Sequence, residues 1–353
     1  MAVEISHFLL YDVKTNQMQP NKTLIKIKDT EKKIEQMLQE LVFQPRLKAI
    51  EWSRLTLQTP NMKIGYPGQH LVSLITGMTG ERSGARGNDL IDGSEVKSCS
   101  RIDQVDTCLE CGLPVARLET ECANCNSQKI KRNNDSKWLF TIRSESDLDT
   151  LTNKVNRVIL VIGYYPDFDN GNYDNVRISA YEIWPKNPRQ LRFAEIMTNY
   201  YQKIYSEHRR LYPTKTPAPK NFWPFQYQFY ICNPIEVFTC DIKNINVNPE
   251  LEIVHHVAPD QNRENLPSVS MPPQMLSVEE FVILKDSAKK SEIEKCLKKG
   301  ADFATFESAL IAGKKKILHE MFAEIDERLR SYLPLRDTDK ISTSKNKYER
   351  RTY

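Results

Sequence analysis

Two acidic residues and a lysine lie close together in the segment NDLIDGSEVKS. Asp89 precedes the dipeptide Asp92-Gly93, and Glu95 and Lys97 follow it. Residues 95 and 97 of a strand point to the same face, because side chains alternate with a period of two. An Asp-Gly dipeptide is typical of a hairpin turn, so Asp89 on the opposite limb can face the same side. The sequence therefore predicts two carboxylates and one ammonium group converging on one spot.

This arrangement predicts metal-assisted hydrolysis of a phosphodiester bond. Two neighbouring carboxylates repel each other unless a divalent cation lies between them. Mg²⁺ prefers oxygen ligands and keeps several waters, so Asp89, Glu95 and the carbonyl oxygen of Val96 would suit it. Lys97 could orient a metal-bound water or stabilise the charge that develops on the phosphate. Asp92 is the alternative to Asp89, but the glycine that follows it favours a role in the turn.

Four further polar side chains lie near enough in sequence to contact a phosphate backbone: Arg82, Ser83, Arg86 and Ser98. Contacts that position a nucleic acid use arginine, lysine, serine and backbone N–H groups. The first three belong to residues 77–87, which contain four of the twelve glycines of the chain. Such a cluster indicates a backbone that must bend or lie close to another molecule.

Half of the eight cysteines form two CxxC pairs. Cys108 pairs with Cys111 and Cys122 with Cys125, and ten residues separate the pairs. In an intracellular chain such pairs indicate a metal rather than disulfides. Two such turns complete a tetrahedral shell of sulfur for Zn²⁺, and the glycine and asparagine that follow the pairs tolerate the left-handed turn required. The sequence predicts a structural zinc ion in an insertion at residues 105–130.

Hydrophobic periodicity predicts alternating helices and strands around these segments. Helices are predicted at residues 30–44, 69–78, 145–152, 190–205, 278–289, 291–298 and 303–333. Strands are predicted on both sides of Asp92-Gly93 and at residues 137–143, 157–162, 176–184, 225–232 and 235–242. Mixed strands and helices of this kind predict an α/β fold.

The acidic segment resembles a known nuclease motif. Asp89 followed by Glu95, Val96 and Lys97 across a short hairpin is similar to the PD-(D/E)XK motif, and the stretch GARGNDLIDGSEVKS resembles type II restriction endonucleases. Asn88 stands where the name of the motif has proline. The family often carries a further acidic residue near the motif. The resemblance does not identify which residue of this chain would be that further acid.

The order of elements extends this resemblance beyond the motif. Residues 69–165 are similar to the αβββαβ core of these nucleases, and a zinc ribbon inserted after the motif strand resembles the MamI-type group. The implied fold is a PD-(D/E)XK, restriction-endonuclease-like core, with a mixed sheet flanked by helices, an inserted four-cysteine zinc ribbon and a helical C-terminal region. The regions expected are an N-terminal helical or mixed region (1–68), a nuclease core (69–243), a linker (244–276), a helical region (277–341) and a disordered basic tail (342–353).

The implied function is that of a sequence-specific endonuclease for double-stranded DNA. It would be a type II restriction enzyme that hydrolyses phosphodiester bonds with Mg²⁺ and acts as a homodimer. The interface is expected at residues 278–333 or at the helix 190–206. Two alternatives remain: a structure-selective DNA nuclease of the same fold, and a non-catalytic zinc-ribbon protein that binds nucleic acid. The chain has more than 150 residues after position 190. A region of this size suits the recognition of bases and dimerisation, which favours the sequence-specific endonuclease.

Composition is consistent with these classes and excludes others. The net charge is +4, from 50 basic and 46 acidic residues, which permits a polyanionic partner without requiring one. Hydrophobic residues at 40% can fill a core, which excludes global disorder. No apolar run reaches the roughly 18–20 residues that cross a bilayer, and Glu4 stands where a signal peptide would be positive. We therefore expect a soluble cytoplasmic protein of prokaryotic type, without membrane contact.

Overall fold

The computed structural model describes residues 17–336, 339 and 341, except for 57, 61, 63 and 83–87. The predicted disordered tail lies outside the described residues. None of the helices in the described part of the chain has the length and apolar character needed to cross a membrane.

Five strands form the main sheet, and five shorter strands form two small sheets. The strands are β1 (Glu95–Ser100), β2 (Asp106–Cys108), β3 (Pro114–Val115), β4 (Ile130–Lys131), β5 (Trp138–Phe140), β6 (Val158–Tyr164), β7 (Val176–Ile183), β8 (Lys220–Phe222), β9 (Ile235–Lys243) and β10 (Glu250–His256). The main sheet has the order β1-β6-β7-β9-β10. Strand β1 runs parallel to β6, and the remaining neighbours are antiparallel. The predicted mixed sheet is therefore confirmed.

Helices cover both faces of the main sheet. They are α1 (Thr30–Leu38), α2 (Gln44–Thr56), α3 (Gly65–Thr76), α4 (Glu145–Asp149), α5 (Arg192–Asn199), α6 (Ser206–Leu211), α7 (Tyr227–Ile231), α8 (Val278–Ser287), α9 (Lys290–Glu294), α10 (Phe303–Ile311), α11 (Lys315–Met321) and α12 (Glu327–Arg330). Three π-helical stretches join α1 to α2, follow α4, and join α5 to α6. The predicted helices at 69–78, 145–152 and 190–205 are confirmed with small shifts of their ends.

Strand β6 lies at the centre of two hydrophobic clusters because its side chains alternate between the two faces. Its sequence VILVIGY is a continuous apolar run, which is typical of a strand that is buried on both sides. Val158 and Leu160 pack with α5, α7 and the C-terminal helices. Ile159 and Val161 pack with α1 and α3 on the other face. The motif strand β1 is thus held between two helical layers and beside the most buried strand.

Two predicted strands outside the motif differ from the structure. Within residues 225–232, Tyr227–Ile231 form the helix α7 instead of a strand. All five residues of α7 are buried, and a short apolar run does not distinguish a buried helix from a strand. Phe225 and Asn233, both with positive φ, flank this single turn and set it off from the neighbouring strands. The strand predicted at 137–143 shortens to β5, which pairs with β8 and not with the main sheet.

Two predictions for the second half of the chain also need correction. The stretch 244–276, predicted as a linker, contributes the edge strand β10 to the main sheet. The long helix predicted at 303–333 is divided into α10, α11 and α12. Gly313, with a φ of +62°, lies at the first break. A glycine in this left-handed conformation ends a helix at little steric cost, which explains why the helix does not continue.

Candidate functional site

The motif strand β1 is an edge strand whose outer backbone groups are available to the site. Glu95 N–H donates to Arg157 O at 3.0 Å, and Arg101 N–H donates to Gly163 O at 2.8 Å. The backbone N–H and carbonyl groups of the odd-numbered residues of β1 therefore point towards β6. Backbone groups of alternate residues point to opposite sides of a strand. The N–H and carbonyl of Val96 therefore point away from β6 to the free edge, where the N–H donates to Asp89 Oδ2 at 2.7 Å.

Hydrogen bonds of its side chain and of its backbone fix Asp89 at this edge. Its Oδ1 accepts from Gln69 Nε2 at 2.8 Å, and its Oδ2 accepts from Val96 N–H. Its own N–H donates to Ser94 O at 2.8 Å. The predicted hairpin is therefore a tight turn, in which an isolated bridge between Gly80 and Leu90 replaces the first strand. Each carboxylate oxygen carries one hydrogen bond and keeps capacity for another partner.

Glu95 and Lys97 lie on one face of β1, as their spacing predicts, and form an ion pair. The side chains are 16% and 28% exposed, so the pair lies in a partly closed position. The Lys97 Nζ also lies 5.9 Å from the centre of the Phe140 ring. Burial raises the pKa of Glu95, the charge of Lys97 lowers it, and the nearby charge of Asp89 raises it. Asp89, Glu95 and Lys97 are therefore close enough to interact electrostatically.

Asp92, the alternative to Asp89, occupies the turn. Its Oδ1 accepts from Ser94 N–H at 3.0 Å, which is the local bond that aspartate makes in turns. Its Oδ2 accepts from Arg157 Nη2 at 3.0 Å, and the side chain is only 1% exposed. Asp92 is thus directed into the protein, whereas Asp89 is directed to the free edge of β1.

The structure describes two of the four predicted phosphate contacts, Arg82 and Ser98. Arg82 is exposed near the motif. Ser83 and Arg86 lie outside the described residues. Ser98 Oγ is buried without a hydrogen-bond partner among the described residues, and it lies against Gly68 of α3 so closely that a β-carbon at Gly68 would overlap it. This position gives no support to a phosphate contact by Ser98.

The four paired cysteines form one cluster that could bind a metal. Their Sγ atoms all lie within 4.8 Å of one another, with Cys108 to Cys125 at 3.6 Å and Cys111 to Cys122 at 3.5 Å. Tetrahedral zinc with Zn–S bonds of about 2.3 Å separates its sulfurs by about 3.8 Å, so the cluster fits that ion. Backbone N–H groups of Cys111 and Glu110 contribute to lowering the pKa of Cys108 to about 6.

Each CxxC pair closes through the left-handed residue that the sequence predicts. Gly112 N–H donates to Cys108 O at 3.0 Å, and Asn126 N–H donates to Cys122 O at 2.8 Å. Their φ angles are +74° and +56°. Strands β2, β3 and β4 form the small sheet that supports the cluster. The insertion has a hydrophobic cluster of only a few residues, so a metal would be a main source of its stability.

A buried charged network attaches this insertion to the main sheet. Asp106 accepts from Arg117 Nη2 at 2.8 Å and from Arg132 Nη1 at 2.8 Å. The Arg117 guanidinium also lies 5.0 Å from the ring of Phe168 and 4.9 Å from that of Tyr173, both in the connection between β6 and β7. Arginine stacks on aromatic rings and bonds carboxylates with the same planar group. The insertion therefore has a defined orientation relative to the sheet.

Sequence reasoning did not identify Gln69 and Arg157 as parts of this site. Gln69 lies on α3, twenty positions before Asp89, and a lone glutamine on a helix gives no signal of a distant carboxylate partner. Arg157 is the first residue of the predicted strand 157–162 and is fully buried. A buried arginine needs a counter-charge, so an arginine that opens an apolar strand is a signal that could have been used.

The fold and the site together define a class of protein: a mixed α/β protein with an acidic pair and a lysine at a sheet edge and a cysteine cluster that could bind a metal. The chain belongs to the MamI restriction endonuclease family, whose family model matches residues 51–274. This match includes Asp89, Glu95, Lys97 and all four paired cysteines.

One relative and the solved structures complete the comparison. The chain is 42% identical over 55 residues to the type II restriction enzyme MamI of Microbacterium ammoniaphilum, and this match covers 16% of the chain and 18% of that enzyme. The match therefore spans less than a fifth of the length of the curated relative. No solved structure matches the chain.

Proposed function

We propose that this protein is a sequence-specific endonuclease for double-stranded DNA, a type II restriction enzyme that hydrolyses phosphodiester bonds with Mg²⁺. One observation carries the proposal. Asp89, Glu95 and Lys97 converge at the free edge of β1, inside the part of the chain that matches the restriction endonuclease family. The relative from Microbacterium ammoniaphilum is a type II restriction enzyme, which supports the same reaction class.

The oxygen atoms at this edge suit a hard divalent cation. Asp89 and Glu95 supply two carboxylates, and the carbonyl of Val96 points to the same edge by the alternation of β1. Bound Mg²⁺ would supply charge compensation at the scissile phosphate and a more acidic water. Burial raises the pKa of Glu95. A bound cation would oppose this effect, because a nearby positive charge favours the ionised carboxylate.

Lys97 is placed to orient the attacking water and to stabilise negative charge. An ammonium group has three donors and no acceptor, so it cannot take a proton from water while it is charged. One donor bonds Glu95, which leaves two for water and for a phosphate oxygen. In the reaction a water oxygen forms a bond to phosphorus while one P–O ester bond breaks, and the proton lost by the water balances the proton gained by the leaving oxygen. Lys97 would meet the charge that develops on the phosphate oxygens.

The remaining parts of the proposal concern DNA, zinc and assembly. Arg82, Ser83 and Arg86 would contact the phosphate backbone. Ser98 is not among these proposed contacts, because its Oγ is buried. The four paired cysteines would hold one structural Zn²⁺. Two active sites are needed to cut both strands in one encounter, so we propose a homodimer.

The test is cleavage of phage and plasmid DNA by the purified protein with Mg²⁺ or EDTA. Discrete fragments that depend on Mg²⁺ are expected from the unmodified protein and from Asp260→Ala, a change of an exposed acid outside the motif. Asp89→Ala is expected to bind DNA without cutting it. A smear or relaxed plasmid would favour a structure-selective nuclease. Retarded but intact DNA would favour a protein that binds without catalysis.

A further inference from the structure

The turn between Asp89 and Glu95 determines how far apart the two carboxylates lie. Gly93, with a φ of +83°, lies in this turn, and its N–H donates to Leu90 O at 3.0 Å. Ser94 O accepts from Asp89 N–H at 2.8 Å. Few residues separate the two acids, so a small change in this turn moves one carboxylate relative to the other.

A single buried side chain holds the turn in place. Arg157 Nε donates to Ser94 Oγ at 3.0 Å, and Nη2 donates to Asp92 Oδ2 at 3.0 Å. Its Nη1 donates to Glu182 Oε1 at 2.7 Å, on the central strand β7. The Arg157 carbonyl accepts from Glu95 N–H at 3.0 Å. The guanidinium therefore connects two residues of the turn to the middle of the sheet.

This connection is rigid because it is buried and charge-balanced. Arg157 and Glu182 are both 0% exposed, and the Arg157 guanidinium lies 5.4 Å from the ring of Trp184. Arg263 also bonds Glu182, at 3.3 Å. The four charged groups are two arginines, Glu182 and Asp92, whose charges sum to zero. A guanidinium presents its donors in a fixed plane, so it can orient several acceptors at once.

We propose that Arg157 is a positioning residue that sets the separation of the Asp89 and Glu95 carboxylates through the turn, and so sets metal binding at the candidate site. The inference rests on the proposed function. The donors of Arg157 bond the turn and β7, so its effect on the two carboxylates passes through the backbone of the turn. Productive sites hold their groups within about 0.5 Å, which makes such a support necessary.

The experiment compares Arg157→Lys with a matched control, Arg46→Lys. Arg46 is also buried, and it bonds both oxygens of Asp103 at 2.8 and 2.9 Å, in the connection that follows β1. Each variant keeps the positive charge and loses the planar group. The measurements are Mn²⁺ binding by electron paramagnetic resonance, kcat and KM for cleavage, DNA affinity without metal, and the melting temperature. The binding and cleavage measurements are made well below the melting temperature of both variants.

Arg157→Lys is expected to weaken Mn²⁺ binding about 10-fold or more. It is also expected to lower kcat about 10- to 100-fold, with KM and DNA affinity unchanged. Arg46→Lys is expected to lower the melting temperature while Mn²⁺ affinity and kcat stay at the levels of the unmodified protein. If the two variants lose stability alike and neither changes Mn²⁺ affinity or kcat, the role of Arg157 is only structural and the proposal is overturned.

A second variant keeps the proposal testable if Arg157→Lys does not fold. Ser94→Ala removes the bond to Arg157 Nε and leaves every buried charge paired. It is expected to weaken Mn²⁺ binding in the same direction and by a smaller factor; an unchanged affinity and kcat would overturn the proposal. If the unmodified protein cuts no DNA, the proposed function fails, and the Mn²⁺ measurement still decides whether Arg157 positions the two acids.

Discussion

The two carboxylates of the candidate site are held by different means at the scale of single residues. Asp89 is held by an amide side chain and a backbone N–H. Glu95 is held by an ion pair with Lys97 in a position that is only 16% exposed. The spacing of the acids and the lysine predicts their common location. The partners Gln69 and Arg157 come from distant parts of the chain, and no local pattern in the sequence connects them to the motif.

Replacing Lys97 tests the chemistry of the site directly. Lys97→Ala removes the positive charge that the proposed reaction directs at the scissile phosphate, and loss of a comparable preorganised group costs about 10²–10³ in rate. The protein is expected to fold and to bind DNA, because Lys97 is partly exposed at a sheet edge. Single-turnover cleavage measures the effect. The control is Lys154→Ala, which removes a surface ion pair with Asp149 and should cut normally. Equal rates for the two variants would place the active site elsewhere.

The buried acid Glu182 predicts a specific dependence of stability on pH. Burial alone would raise its pKa, but Arg157 and Arg263 outweigh burial and lower the pKa below its ordinary value of 4.5. The ionised group therefore contributes stability above about pH 4.5, and this contribution is lost as the pH falls through the lowered pKa. Glu182→Gln removes the carboxylate that Arg157 and Arg263 share and leaves Asp92 as the carboxylate bonded to Arg157. Breaking a buried pair in this way costs about 3–5 kcal/mol near pH 7.

Denaturant unfolding between about pH 3 and pH 7 measures this effect. The difference in free energy of unfolding between the unmodified protein and Glu182→Gln is expected to narrow as the pH falls. The control is Glu294→Gln, a change in a surface pair with Lys290 that should have little effect at any pH. A difference that stays constant down to pH 3 would show that the pKa of Glu182 is not lowered in the folded protein.

At the scale of elements, the sequence predicts those that have a clear period or a chemical signature. Apolar periodicity predicts the strands β6, β7 and β9 and the helix α3. The cysteine spacing predicts the two CxxC turns. The helix α7 does not, because its five buried residues fit either a helix or a strand. Strand β5 has the expected apolar character, but its pairing with β8, which lies much further along the chain, depends on tertiary packing.

The cysteine-containing insertion at residues 105–130 is the element whose stability we expect to depend most on a bound ion. Cys108→Ser removes one of the four sulfurs, so the protein is expected to lose stoichiometric zinc and the order of residues 105–130. The small cluster around Cys108, Val115 and Cys122 cannot replace the metal. Atomic absorption and limited proteolysis measure the two effects. Cys296→Ser, which changes a buried cysteine of the C-terminal region, should keep its zinc. Full zinc content in Cys108→Ser would remove the cluster from the proposal.

At the scale of the whole molecule, the C-terminal helices share a core with the main sheet. One hydrophobic cluster includes Leu160 of β6 and Phe281, Phe322 and Leu329 of the C-terminal region. Arg189 also forms an ion pair with Glu327 at 2.6 Å. The sequence does not show this union, because the polar and proline-bearing stretch before α8 is typical of a linker. The C-terminal helices and α5 therefore each bury part of their surface in this one cluster.

The proposed homodimer predicts how mixed active sites cut DNA. Each strand of the duplex meets one Asp89–Glu95 pair, so a dimer that combines an intact subunit with an Asp89→Ala subunit should cut one strand only. Supercoiled plasmid with one recognition site is expected to become the nicked circle with the mixed dimer and the linear form with the intact dimer. A mixture with Asp260→Ala subunits should give linear product, since that acid is exposed and lies outside the motif. Sedimentation velocity on cognate DNA gives the independent check, because a single chain on DNA that still makes double-strand breaks would contradict the dimer.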